Sequence, residues 1–346
     1  MNTLSITGKK RESYQIEFEH SLLWESALGV AAITNIPLLD TLEKEKEFEK
    51  IISEMPGELK NELDYVEKNN TWKSLLQLLH MFNGSTLEQF TEFIQQLSAE
   101  ELCYNCLPYI GNKLQKIRRQ ASKGDLHAMN ALQKATKDNP FFPSYIEFIF
   151  HVDKQQLKKH LCDVITLWYN LVIFPQSEEL LEIIERDLLE KRTMAVKMNA
   201  EEFVAWATNG SEYIPEPGVY RVLFIPQMTY RPWTIVSDIE GTKVFYYPIP
   251  NYNIYPNDPY LPDYLLIQKF KALGDEVRLR MVKLLAEDDY TLKEISEQLD
   301  LGKSTAHHHL KILRAASLVG IKASKYTIKE NSVTSLSKEL QLYLKQ

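Results

Sequence analysis

The run Lys303-Ser304-Thr305-Ala306-His307-His308-His309-Leu310-Lys311-Ile312-Leu313-Arg314 gathers side chains that donate hydrogen bonds and carry positive charge. From Leu301 to Lys329 there is no aspartate or glutamate, while Lys303, Lys311, Arg314, Lys322, Lys325 and Lys329 are basic. The whole chain has a formal net charge of −7, so this local reversal of sign needs a cause. The chemistry it fits is contact with phosphate. Ser304 and Thr305 can donate to phosphate or to base edges. Lys303 and Lys311 supply charge, and His307 or His308 can donate to a purine acceptor. Backbone N–H groups at a helix start also favour a phosphate. For Lys322 and Lys325, contact with a nucleic-acid backbone and plain solvation both remain open. For His309 a packing role competes with DNA contact.

Three consecutive histidines also raise the question of a metal. Neighbouring helical residues point about 100° apart, so they do not converge on one ion; i and i+4 positions are needed. No metal and no cofactor are expected.

The elements that must position these side chains follow from spacing. Val277, Met281, Leu284 and Leu285 recur at helical intervals. Thr291-Leu292-Lys293-Glu294 is a capping box, so a second helix starts at Leu292 and buries Leu292, Ile295 and Leu299. A turn at Leu301-Gly302-Lys303 leads into the basic helix, whose other face is Ala306, Leu310 and Leu313. Helix, short glycine-containing turn, helix is the helix-turn-helix pattern. Leu318–Lys322 and Tyr326–Lys329 read as strands joined at Ala323-Ser324-Lys325, a hairpin in the position of a wing. Asn331 or Ser332 can cap a last helix striped by Val333, Leu336, Leu340 and Leu344.

ALGDEVRLRMVKLL followed by TLKEISEQLDLGKSTAHHHLKILRAASLV resembles the winged helix-turn-helix of the ArsR family of bacterial transcriptional regulators. The resemblance covers roughly residues 265 to 346. It implies a homodimer that binds double-stranded DNA; helix geometry and side-chain chemistry give the site residues as Lys303, Ser304, Thr305, His307, His308, Lys311, Lys322 and Lys325. It departs from the family at the wing, where Ala323-Ser324-Lys325 lacks the usual arginine and glycine. The metal-sensing positions of the family find no match: Leu292 to Leu299 has no cysteine, and the last helix has neither histidine nor aspartate.

The fold class expected is mainly α with small β: a helical N-terminal domain, a short antiparallel β meander and a C-terminal winged helix-turn-helix. The boundaries are 1–215 for a sensory or dimerising domain, 216–247 for the meander, 248–263 for a connector and 264–346 for the DNA-binding domain. Charge separates them. Residues 265–346 hold 14 basic and 10 acidic residues, and the remainder holds 26 and 37. Five of the 15 prolines fall between Pro248 and Pro262, interleaved with Tyr252, Tyr255 and Tyr260, which reads as an extended connector. Upstream, Tyr14–His20 alternates like a strand, Leu22–Ile33 reads as a buried helix, and amphipathic stretches follow through 41–68, 72–82, 86–97, 108–121 and 125–136. Gly218–Pro226, Trp233–Val236 and Lys243–Tyr247 read as the meander strands.

The N-terminal Lys9, Lys10 and Arg11 are followed by no apolar run, and Val164–Phe174 is too short and too polar to span a bilayer. Three cysteines form no disulfide framework, so a cytoplasmic protein without membrane contact is expected. Cys103-Tyr104-Asn105-Cys106 reads as two buried thiols; a redox pair or half a metal site is the alternative, with Cys162 and His160 as the sole supplement. Aromatics at Phe141, Phe142, Tyr145, Phe148 and Phe150, with Trp168, Tyr169 and Phe174, read as core or as the lining of a small-molecule or peptide effector site. There is no P-loop, dinucleotide fingerprint, nucleophile elbow or H-E-x-x-H helix, so no enzyme is expected. The leading expectation is a DNA-binding regulator: a repressor reading an inverted repeat and modulated through its N-terminal domain. A protein-interaction module reusing a winged helix, or an enzyme fused to a DNA-binding tail, are the alternatives.

Overall fold

The computed structural model describes residues 13–344 except Asp40, Asn209, Gly210, Glu212, Pro259 and Ala323. The basic triplet Lys9, Lys10 and Arg11 and the wing residue Ala323 therefore lie outside the described residues. The chain forms two compact units. One comprises the chain up to Ala200 with Ile214–Pro248, and the other comprises Glu201–Tyr213 with Ile249 onward.

The first unit is built around the helix Leu22–Ile33, every residue of which is buried. That follows from a run with no polar face, and Ser21 fixes its start by accepting a hydrogen bond from the Leu23 amide at 3.0 Å. Trp72–Leu79, Lys154–Trp168 and Ser177–Ala195 pack on it. The stretch 41–68, read as one amphipathic run, is two helices, Glu45–Glu54 and Gly57–Asn69, separated at Pro56. Tyr145 is core: its hydroxyl donates to the Cys106 carbonyl at 2.8 Å and meets Ser74 Oγ at 2.8 Å.

The strand at Tyr14–His20 forms as β1 (Gln15–Phe18). The three expected meander strands form as β2 (Arg221–Gln227), β3 (Ile235–Ile239) and β4 (Thr242–Pro248). Their sheet order is β1-β2-β4-β3. The β3–β4 hairpin is antiparallel, as its turn predicts, with Gly241 in the left-handed region at φ 69°. The first strand departs from the meander reading, because β2 lies parallel to both β1 and β4. The reason is visible in the residues. Val222-Leu223-Phe224-Ile225 is continuously apolar and fully buried, as a central parallel strand must be, whereas β1 and β3 alternate and lie at the edges.

Cys103, Cys106 and Cys162 are buried free thiols. Burial pushes the Cys106 thiol up to about 12 and also raises Cys103, and Cys103 Sγ faces the Ile149 carbonyl. His160 bonds to Thr71 Oγ1 at 2.8 Å and to the Glu62 carboxylate, not to Cys162. These thiols should therefore react with an aromatic disulfide reagent only on unfolding. Fast titration of two thiols in the native protein at neutral pH would contradict that inert role.

The second unit carries the winged helix-turn-helix. The proline-rich run does not extend freely. Asn251 begins a helical turn (Asn251–Ile254), its amide bonds to Asp263 Oδ1 at 2.7 Å, and its side-chain Nδ2 donates to the Pro262 carbonyl at 2.8 Å. A side chain that satisfies both ends of a loop overrides the extended preference of the prolines.

Candidate nucleic-acid interface

Four helices and a hairpin build this region: Tyr264–Leu273, Glu276–Leu285, Leu292–Gln298 and Lys303–Ala315, then β5 (Val319–Lys322) and β6 (Lys325–Ile328). Their shared core contains Met281, Leu285, Ile295, Ala306, Leu310 and Leu313.

The helix Leu292–Gln298 starts where the sequence places it. Glu294 N donates to Thr291 Oγ1 at 3.3 Å, and Glu294 Oε2 accepts from the Thr291 amide at 2.7 Å. The bond from the Thr291 amide, and after it the one that Thr291 Oγ1 donates to the same carboxylate at 2.8 Å, hold the Glu294 carboxyl below the usual carboxylate range. The turn that follows is closed by Ser296: its carbonyl accepts from the Leu301 amide at 2.9 Å, and its hydroxyl donates to the Leu301 carbonyl. Its left-handed residue is Asp300 (φ 52°), not Gly302. Aspartate tolerates that region better than most residues. Gly302 instead sits at φ −61° as the N-cap of the basic helix and offers no side-chain cap. The first-turn amides of that helix are thus left without a side-chain acceptor, the condition under which a helix start takes an anion.

Lys303, Ser304, Thr305, His307, His308 and Lys311 are all exposed on the Lys303–Ala315 helix, whose buried residues are Ala306, Leu310 and Leu313. Each of the six residues singled out from the sequence is thus open to solvent. Lys322 is exposed on β5, and Lys325 opposes it across the hairpin. Lys325 Nζ also donates to the Asp289 carbonyl at 3.2 Å, which draws it back toward the preceding loop.

His309 does not share that exposure. It is half-buried, with Nδ1 3.5 Å from Arg278 Nη1 and 3.8 Å from Asp275 Oδ1. Arg278 is the centre of this joint. Its Nε donates to the Ala272 carbonyl at 2.6 Å and its Nη2 to the Lys271 carbonyl at 3.0 Å, satisfying the open end of the preceding helix. Asp275 caps the next helix by accepting from the Arg278 amide at 3.0 Å, and that bond is the main cause of its lowered carboxyl pKa. Sequence reasoning missed both residues. An aspartate three positions before an arginine at a helix start was the available signal. His309→Ala should therefore cost stability, about 1 kcal/mol, rather than DNA affinity. A reduced salt slope of binding in that variant would return His309 to the interface.

An isolated β-bridge to the hairpin was also missed. The Tyr290 amide donates to the Tyr326 carbonyl at 3.1 Å, and the Tyr326 amide returns a bond to Tyr290 at 2.7 Å. One bridging residue has no alternation by which to be recognised.

With the geometry in place, comparison with known proteins is specific to this region. Residues 275–320 match the profile of the bacterial regulatory protein, arsR family. A stretch of 50 residues is 36% identical to the transcriptional repressor SdpR of Bacillus subtilis, covering 14% of this chain and 56% of that protein. The chain thus spans little more than half the length of that relative. No solved structure matches the chain. Outside this region nothing in these matches speaks to the helical unit, and no helix among the described residues is long and apolar enough to cross a membrane. The helix-turn-helix at residues 275–320 is similar to that of the arsR family.

Proposed function

We propose that this chain is a DNA-binding transcriptional regulator whose Lys303–Ala315 helix enters the major groove. The observation that carries the reading is the exposed face of that helix: two hydroxyls, two imidazoles and two lysines, with no acid from Leu301 to Lys329 and an uncapped N-terminus. In this reading Lys303, Lys311 and the first-turn amides hold phosphates, while Ser304, Thr305, His307 and His308 reach base edges. Lys322 and Lys325 approach the flanking backbone. The arsR-family match and the likeness to a repressor support repression as the mode.

The functional unit we propose is a homodimer on an inverted repeat, with half-sites about one helical turn apart. Leu265 and Leu266 are buried and so are spent within the chain. Phe270 on the helix Tyr264–Leu273 is 45% exposed, and Leu344, just after the helix Leu336–Tyr343, is 71% exposed. They supply the apolar surface a twofold contact needs. The acidic helical unit is the proposed seat of modulation.

The test is capture of genomic fragments by the purified protein across a salt series. Recovery of a palindromic promoter fragment is expected. Its affinity should fall on the order of 10³-fold between about 50 and 200 mM salt if about six phosphates are contacted. Salt-independent or unselective capture would remove the reading.

A further inference from the structure

In the helical unit, the helix Ser177–Ala195 buries Leu180, Ile183, Ile184 and Leu188. A surface helix of a folded domain needs one such apolar stripe. This helix carries a second on another side. Leu189 is 70% exposed, Leu181 36%, and Val196, the residue that ends the helix, 89%. Phe174, in the short 3₁₀ turn Phe174–Gln176 that leads into it, is 63% exposed. Scattered apolar side chains on a surface are ordinary. These four are not scattered.

Glu178, Glu185 and Arg192 are exposed in the same row. The order Glu178, Leu181, Glu185, Leu189, Arg192, Val196 advances by three or four residues at each step. It therefore follows one line along a helix of about 3.6 residues per turn. Among the described residues none of the three charged side chains has an ion-pair partner. The row is also symmetric about its centre. Counted from Glu185, four residues either way reach Leu181 and Leu189, seven reach Glu178 and Arg192, and eleven reach Phe174 and Val196. A twofold axis through Glu185 would set Leu181 of one copy on Leu189 of the other, Phe174 beside Val196, and Glu178 on Arg192. Each of these contacts occurs twice in such an arrangement.

We infer that the Ser177–Ala195 helix pairs antiparallel with the same helix of a second copy of this chain, about a twofold axis at Glu185. The occupant is a copy because only a copy needs a row whose apolar and opposite-charge positions match on reversal. The antiparallel sense brings the acidic first turn of each helix, with Glu178 and Glu179, to the carboxyl end of the other, where the helix dipoles favour it less than their own amino ends; the ion pair with Arg192 is what holds Glu178 there. Glu185 meets its own copy on the axis, and that like-charge contact limits the affinity. The pairing belongs to the helical unit and goes beyond the proposed function, whose own twofold contact uses Phe270 and Leu344.

The experiment uses the full chain without DNA, at about 50 mM salt so that surface charges are little screened. Glu185→Cys puts a thiol on the axis. Packed helices lie about 8–10 Å apart, within reach of a short bismaleimide. The native cysteines are buried, so the wild type serves as the blank. Glu185→Cys should cross-link to a covalent dimer at least tenfold faster than Glu179→Cys, which is exposed on the same helix but off the row. Adding Arg192→Glu to Glu185→Cys should slow the reaction at least tenfold. Adding Glu178→Arg as well should restore it, because the swap re-forms both ion pairs. Sedimentation of Glu185→Gln, which removes the like-charge contact, should show tighter association than the wild type. All of these positions are exposed, so the melting temperature should stay native. Equal cross-linking at positions 185 and 179 overturns the pairing, as does a charge reversal that the swap fails to restore. Weaker association of Glu185→Gln overturns the placement of the axis. Since no DNA is present, this failure and a failure to capture DNA are separate results.

Discussion

Alanine at His307, His308 and Lys311 together should end selective capture of operator DNA while leaving the protein folded. All three side chains are exposed on the acid-free face, and none contributes to the core formed by Ala306, Leu310 and Leu313. Surface changes of this kind move stability by no more than about 0.5 kcal/mol. Their expected effect on binding is far larger. Removing an imidazole that reads a base edge costs about 1–3 kcal/mol of discrimination. Removing the charge that Lys311 places on a phosphate lowers the slope of log affinity against log salt by about 0.9. Combined, affinity for the specific site should fall on the order of 10²-fold or more, with about 1.4 kcal/mol per decade. Non-specific binding should fall less, because Lys303, Arg314 and the first-turn amides remain. The decisive comparison is the ratio of specific to non-specific affinity at one salt concentration, wild type beside variant. An unchanged ratio would place sequence reading elsewhere than on this helix.

What made this face legible in the sequence is that its determinants are local. The capping box at Thr291–Glu294, the apolar positions at three and four residue intervals, and the absence of acid are each read within a short stretch of chain. The structure has the capping box, and of the apolar positions after it Ile295 is buried while Leu292 and Leu299 are partly buried against the same core. The sheet of the helical unit shows the opposite case. Gln15 pairs with Arg221 across nearly the whole unit, so the partner of β1 cannot be read from its neighbours. The unbroken apolar run of β2 did hold a signal for a central parallel strand, but a hairpin two strands later outweighed it. Glu25 was illegible for the same reason: the Met228 amide and Thr229 Oγ1 that meet its buried carboxylate lie far along the chain. His309 lay between the two cases. Helix geometry put it near the buried side, and only the long-range partner Arg278 decided its role.

Glu339→Gln should be the most destabilising conservative change in the winged unit. Lys269 is fully buried, and its Nζ donates to both oxygens of Glu339, at 2.6 and 2.9 Å. Ser335 Oγ donates to the same carboxylate at 2.5 Å. This network joins the helix Tyr264–Leu273 to the last helix, Leu336–Tyr343. Replacing the carboxylate by an amide keeps the shape but strands the ammonium in a place it cannot solvate. Breaking a buried pair from one side costs about 3–5 kcal/mol. For a unit of this size that corresponds to a melting transition lower by roughly 10–20 °C, resolvable by calorimetry of the full chain. Lys269→Met with Glu339→Leu should recover most of the deficit, since apolar replacement of both partners is often neutral or better. The pair also holds Phe270 and Leu344 in the relation that the proposed dimer uses, so Glu339→Gln should weaken self-association measured by sedimentation, even below its melting range. A transition displaced by only a degree or two would mean that water or a neighbouring acceptor reaches Lys269, and that the last helix is held by its apolar stripe instead.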